Sequence, residues 1–191
     1  MRRILIVLGI VLSLTILGLL QLFVFSGEEQ SQKNSLEVKT GSQYQEIVNP
    51  SGFVNTNGVP VQIRDYIGKK IILLEFMTYT CVNCQRTFPY IVKWYDTYKD
   101  AGLMVIGIHT PEFAFEKEID NVEKAMAKSR ITFPVVLDND YSTWNAYDNN
   151  FWPRLYLIDL EGNIVYDHIG EGKYEETEAK IQELIKTIKT L

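Results

Sequence analysis

Residues 71–89 read IILLEFMTYTCVNCQRTFP, and the fold turns on how this stretch divides. Ile71 to Phe76 is an apolar run of the β-branched and aromatic kind that fills a buried strand. One short turn later comes Cys81-Val82-Asn83-Cys84, the only two cysteines of the chain. Beyond them the pattern is that of an amphipathic helix, with Phe88, Ile91, Val92, Tyr95 and Tyr98 on one face. Gln85, Arg86, Lys93 and Asp96 turn away from it. Cys81 thus falls at a helix N-terminus, where unpaired N–H groups and the helix dipole stabilise a thiolate, the nucleophile of disulfide exchange. Cys84, one helical turn later, is spaced to close a disulfide on Cys81.

Two cysteines at this spacing also make half of a tetrahedral zinc site. The chain offers only His109 and His168 as further soft ligands, and they are far apart in sequence. An inert structural bridge is the other alternative, but closing so small a loop removes little entropy from the unfolded chain. Redox chemistry is therefore preferred, with zinc and the inert bridge left as lesser readings.

Leu74-Glu75-Phe76, the CVNC motif and Pro89 resemble the thioredoxin superfamily, in which an acidic residue precedes the first Cys by six positions and a Pro follows it by eight. The longer run TYTCVNCQRTFPY, with GIHTPEFAFEKE and LDNDYSTWNAYDNNFWPRLYLID, is similar to the TlpA/ResA group and most of all to the thioredoxin-like domain of DipZ proteins. Two positions depart from thioredoxin itself: Met77 and Thr80 stand where it carries Trp.

The resemblance implies an α/β thioredoxin-like fold, a central mixed β-sheet flanked by helices, with an N-terminal β-hairpin and a mid-domain insertion. The residues agree in outline. Gly52-Phe53-Val54 and Val59 to Ile63 flank an Asn57-Gly58 hairpin signal. Leu103 to Ile108 reads as a second buried strand, making a βαβ unit with the first. Phe115, Ile119, Val122 and Ala125 or Met126 recur at helical spacing, and Phe133 to Leu137 reads as a short strand. Tyr141 to Tyr147 suggests a short helix with Trp144 in the core. Arg154 to Asp159 and Asn163 to His168 flank Glu161-Gly162 as a hairpin, with His168 expected at the surface. Ile181, Leu184, Ile185 and Ile188 mark a terminal helix.

Ahead of this domain, Met1-Arg2-Arg3 precedes an apolar run from Ile4 to Phe25. Twenty-two residues at helical rise span about 33 Å, enough to cross a bilayer core. The sequence therefore predicts a single N-terminal transmembrane signal-anchor over 1–25, a flexible linker over 26–50 and the thioredoxin-like domain over 51–191. The two arginines predict an extracytoplasmic domain on the cell membrane. Without Arg2 and Arg3 the formal net charge goes from -5 to -7, a surface with no basic patch for nucleic acid.

Glu75 lies in the buried strand, where burial raises a carboxyl pKa. By resemblance it relays a proton to and from Cys84. Also by resemblance, Pro153 is a cis-proline lying against the CVNC motif, and Trp152 before it pairs its backbone with an incoming protein disulfide or dithiol substrate. His109 and Glu112, near the carboxyl end of the second strand, are candidates for facing the site. No cofactor is expected, since no phosphate loop or flavin or nicotinamide fingerprint is present, and no metal site is assigned.

The function so read is a membrane-anchored thiol-disulfide oxidoreductase. The resemblance adds apocytochrome c or other exported proteins as substrates and a separate CcdA-like membrane protein as electron donor. Two alternatives stand beside it. A thiol peroxidase has Thr78 three positions before Cys81 in its favour, although Leu74 occupies that pattern's Pro position. A copper metallochaperone would pair the two cysteines with His109, at a spacing one residue shorter than usual.

Overall fold

The computed structural model describes residues 41–188. Six strands, β1 (Gly52–Val54), β2 (Ile71–Met77), β3 (Leu103–His109), β4 (Val135–Leu137), β5 (Arg154–Ile158) and β6 (Ile164–Ile169), form one sheet. Its order is β1-β4-β3-β2-β5-β6. The strands β2, β3 and β4 run parallel to one another, while β5, β6 and β1 pair antiparallel to their neighbours. Every residue of β2 and β3 is buried, as the near-continuous apolar runs require of central strands covered on both faces.

Helix α1 (Val82–Tyr98) connects β2 to β3. It buries Cys84, Thr87, Phe88, Ile91 and Trp94. The buried stripe thus includes Trp94, whereas Val92, Tyr95 and Tyr98 of the expected face lie at its border. Val122 and Met126 of α2 (Ile119–Lys128) and Ile181 and Ile185 of α4 (Tyr174–Ile188) join the same core. On a second aromatic cluster, Phe76 meets Trp144 of α3 (Ser142–Ala146), Tyr147 and Tyr156 edge-on at 5.2 to 6.0 Å between ring centroids.

Several expectations are corrected. No helix among the described residues is long and apolar enough to cross a membrane. The longest, α1, has 17 residues with a polar face, short of the ~20 apolar residues a span needs. The expected span at 1–25 lies outside the described residues. No described helix supports the transmembrane part of the fold reading, or the membrane anchoring, extracytoplasmic location and CcdA-like membrane donor built on it.

The N-terminal β-hairpin is also absent. Asn57 and Gly58 do adopt positive φ (53° and 79°), and the Val59 N–H closes the turn on the Thr56 carbonyl. No ladder follows, because β1 pairs with β4 instead and the N–H groups of Ile63 and Arg64 are taken by the Glu46 carboxylate. Residues 41–50, expected in the linker, lie on the domain: Gly41 and Tyr44 donate to Ile164 and Gly162, and Tyr147 donates to the Gln45 carbonyl. His168 is buried on the face of β6 shared with Ile164 and Tyr166, not at the surface.

Phe76 is fully buried among three rings, so Phe76→Ala should lower unfolding free energy by about 3–5 kcal/mol. Urea titration followed by circular dichroism checks this; a loss below ~1 kcal/mol would mean that the cluster collapses around the gap.

Candidate active site

β2 delivers the chain to the turn Thr78-Tyr79-Thr80, and Cys81 then caps α1 in extended conformation (φ -65°, ψ 117°). The Cys81 N–H donates to the Thr78 carbonyl at 3.3 Å, and Gln85 closes the first helical turn on the Cys81 carbonyl at 3.0 Å. This places Cys81 Sγ over the helix N-terminus, where it accepts the Cys84 N–H at 3.4 Å. Both cysteines are free thiols; Cys81 is partly exposed and Cys84 is buried.

The two thiols are driven in opposite directions. A hydrogen bond from the Cys84 thiol, with the backbone N–H groups of Cys84 and Asn83, outweighs partial burial and draws Cys81 down to about 6. Burial, the same thiol–thiol bond and the nearby Glu75 charge push Cys84 far up. Thus Cys81 is ionised at neutral pH and Cys84 holds its proton.

Glu75 is fully buried in β2, opposite Gly107 on one side and Leu155 on the other. Neither carboxyl oxygen has a hydrogen-bond partner. Burial first, and the Cys81 charge second, hold its pKa well above the ordinary carboxylate range. Across the site, the Trp152–Pro153 peptide bond is cis. The Trp152 carbonyl lies 3.8 Å from Cys81 Sγ, and the Trp152 ring packs on Trp144 at 4.3 Å. The structure therefore brings together Cys81, Cys84, Glu75 and the Trp152–Pro153 segment.

His109 is buried beneath the active-site turn, stacked on Tyr79 at 5.5 Å, with Nε2 3.4 Å from the Thr78 hydroxyl. Burial draws it down to about 4, against the opposing pull of Glu116, so the ring is neutral at pH 7. Among the described residues no group of three side chains is placed to ligate a metal, and the copper arrangement of Cys81, Cys84 and His109 is not formed. Glu112 is exposed, and its charge slightly opposes the Cys81 thiolate.

Two features escaped the sequence. Glu116 is buried, yet it accepts the Thr80 hydroxyl at 2.5 Å and the N–H groups of Glu112 and Phe113 at 2.6 and 2.8 Å. Burial raises its pKa, but these bonds win and leave it below the ordinary value. A Glu three residues after a helix cap is a visible signal, but the cap here is Phe113 rather than the usual Ser or Thr. Arg154, directly after Pro153, forms a buried two-pronged pair with Asp167 at 2.9 and 2.7 Å.

A helix-capping sulfur paired with a buried thiol, on a mixed sheet of this order, defines a thioredoxin-like fold carrying a CxxC dithiol. A family model described as Redoxin matches residues 39–185, and the chain belongs to that family. Protein DipZ of Mycobacterium tuberculosis (strain CDC 1551 / Oshkosh) is 46% identical over 140 residues, 73% of this chain and 20% of that protein. The chain therefore spans about a fifth of the length of that relative. Thiol-disulfide oxidoreductase ResA of Halalkalibacterium halodurans is 30% identical over 131 residues, 68% of this chain and 69% of ResA. A thioredoxin-like protein solved in its oxidised form matches with TM-score 0.71 at 22% identity, covering 78% of this chain and 99% of that one, a likeness of fold alone. A thiol:disulfide interchange protein from Bacteroides sp. matches with TM-score 0.61 at 25% identity, covering 76% and 91%.

With Cys81 at about 6, its alkylation rate should be flat above about pH 7 and fall tenfold per unit well below pH 6, as the thiolate protonates. Stopped-flow iodoacetamide labelling of the reduced protein checks this. A midpoint near the ordinary thiol value would contradict the capping geometry.

Proposed function

We propose that Cys81 is the attacking nucleophile, Cys84 the resolving thiol, Glu75 its proton acceptor and Trp152–Pro153 the segment that receives the substrate backbone, the substrate being a protein disulfide. The observation that carries this is the asymmetry of the dithiol: one sulfur capped and partly exposed, the other buried beside an unpaired carboxyl. The ionised, accessible sulfur is the one able to attack.

In the first step Cys81 Sγ forms a bond to one sulfur of the target disulfide, whose partner sulfur leaves as a thiolate. Cys84 then loses its proton to Glu75 and attacks Cys81 Sγ. The Cys81–target bond breaks, and the second target sulfur leaves as a thiolate that water protonates. Two electrons pass from enzyme to target; reversal of the same steps oxidises a target dithiol. A carboxyl raised by burial accepts a proton near neutral pH far better than an exposed one, which is the use of leaving Glu75 without a hydrogen-bond donor.

Trp152 bears on the substrate through its carbonyl, which faces Cys81. An extended target chain lying beside it would hydrogen-bond there and hold its disulfide in line with the attacking sulfur.

The test uses a peptide containing one disulfide. Cys84→Ser should accumulate a mixed disulfide with one peptide per chain, seen by mass spectrometry and reversed by dithiothreitol, while Cys81→Ser should form none. Glu75→Gln should slow the second step by roughly tenfold or more and leave the first near the wild-type rate. Adducts on Cys81→Ser instead would exchange the two assigned roles, and peroxide consumption outpacing disulfide reduction would overturn the reading in favour of a peroxidase.

A further inference from the structure

Few large apolar side chains among the described residues remain more than a third exposed, and two of them, Phe113 (47%) and Phe115 (52%), stand together. Their rings lie parallel within 2°, with centroids 5.6 Å apart. Phe115 is 6.4 Å from the ring of Tyr79, two residues before Cys81. An exposed aromatic pair beside a nucleophile leaves apolar surface in water, which a monomer has no internal reason to keep.

The loop that carries the pair is held firmly. Glu116 binds the N–H groups of Glu112 and Phe113 and joins them to Thr80, the residue before Cys81. Asn121 donates to the Phe115 carbonyl, Asn139 to that of Lys117, and Tyr141 to that of Pro111. Burying a carboxylate is costly unless its bonds are met, and here those bonds fix the position of two exposed rings relative to the dithiol. A preordered apolar surface spends little entropy when it is covered. The exposed carboxylates Glu112, Glu118 and Asp120 flank the pair along the chain, with Lys117 the one cation within that stretch, which favours a basic partner.

We propose that the Phe113–Phe115 pair is a docking lip for the substrate polypeptide, covering an apolar side chain next to the target disulfide while the surrounding carboxylates select a basic neighbour. This rests on the reading of Cys81 as the nucleophile towards protein disulfides. The lip would give this dithiol a preference among targets without altering the exchange chemistry itself.

Single-turnover reduction is measured for the 191-residue chain with two ten-residue disulfide peptides, one flanked by Leu-Lys and one by Ser-Glu, and with 2-hydroxyethyl disulfide. The wild type should half-saturate at lower concentration on the Leu-Lys peptide. The double variant Phe113→Ser/Phe115→Ser should raise that concentration about tenfold and shift selectivity for the peptide over 2-hydroxyethyl disulfide by a similar factor. Val59→Ser, another exposed apolar residue, serves as the control and should leave both unchanged. Glu112→Lys/Glu118→Lys should reverse the preference between the two peptides.

Equal losses on the peptide and on 2-hydroxyethyl disulfide would overturn the lip, since the pair would then serve only the dithiol's local structure. An unchanged half-saturation with normal reduction of 2-hydroxyethyl disulfide would also overturn it and leave the oxidoreductase reading intact. A dimer seen by sedimentation and dissolved by the double variant would assign the surface to a second copy and overturn the proposal. Wild-type inertness towards all three disulfides would instead overturn the reading of Cys81 on which the lip rests.

Discussion

The bonds that Cys84 makes to Cys81 Sγ, from its thiol and from its N–H, are what hold the Cys81 thiolate, and they exist only while the first turn of α1 stays where β2 delivers it. Nothing in the CVNC motif alone secures that turn. Phe88, Ile91 and Trp94 secure it by sinking into the core against the sheet, so that hydrophobic burial along the helix fixes the position of a sulfur at its end. Pro89 lies inside the helix and cannot donate to the Gln85 carbonyl, which leaves a place for the helix to bend just beyond the dithiol.

The surroundings of that turn handle buried charge in three ways. Glu75 has no donor and is driven towards its neutral form by burial. Glu116 has every needed donor and remains ionised as an anchor. Arg154 and Asp167 neutralise each other in a two-pronged pair behind the cis-proline segment. Two buried glutamates thus have opposite tendencies, because Glu75 lies deeper in the core and faces no donor while Glu116 faces three.

Much of this could be read from residues alone. The apolar runs of β2 and β3, the glycine at the β5–β6 turn and the placement of Cys81 at a helix start are local signals, and the structure repeats them. Phe115 misled because periodicity across it ignores a phase break: Ala114–Lys117 is a 3-10 turn, and Glu118 is extended before α2 begins. His168 shares the buried face of Ile164 and Tyr166, as strict alternation along β6 requires, rather than the exposed position expected of it. The pairing of β1 with β4 and the partners of Glu116 were beyond local reading, since both join segments that meet only in three dimensions. The expected membrane span was a matter of length and apolarity, and no described helix has both.

The short stretch from Gly41 to Tyr44 has a meaning apart from catalysis. It lies against the hairpin end of β6, exchanging backbone bonds with Gly162 and Ile164, and Gln43 forms an isolated bridge with Asn163. Since β6 is the last strand of the sheet, those backbone groups would otherwise be open to any extended chain. The segment thus occupies the Ile164 end of that edge. A fragment cut at Ser51 would retain the dithiol yet leave the backbone groups of Gly162 and Ile164 open to pairing with an extended chain.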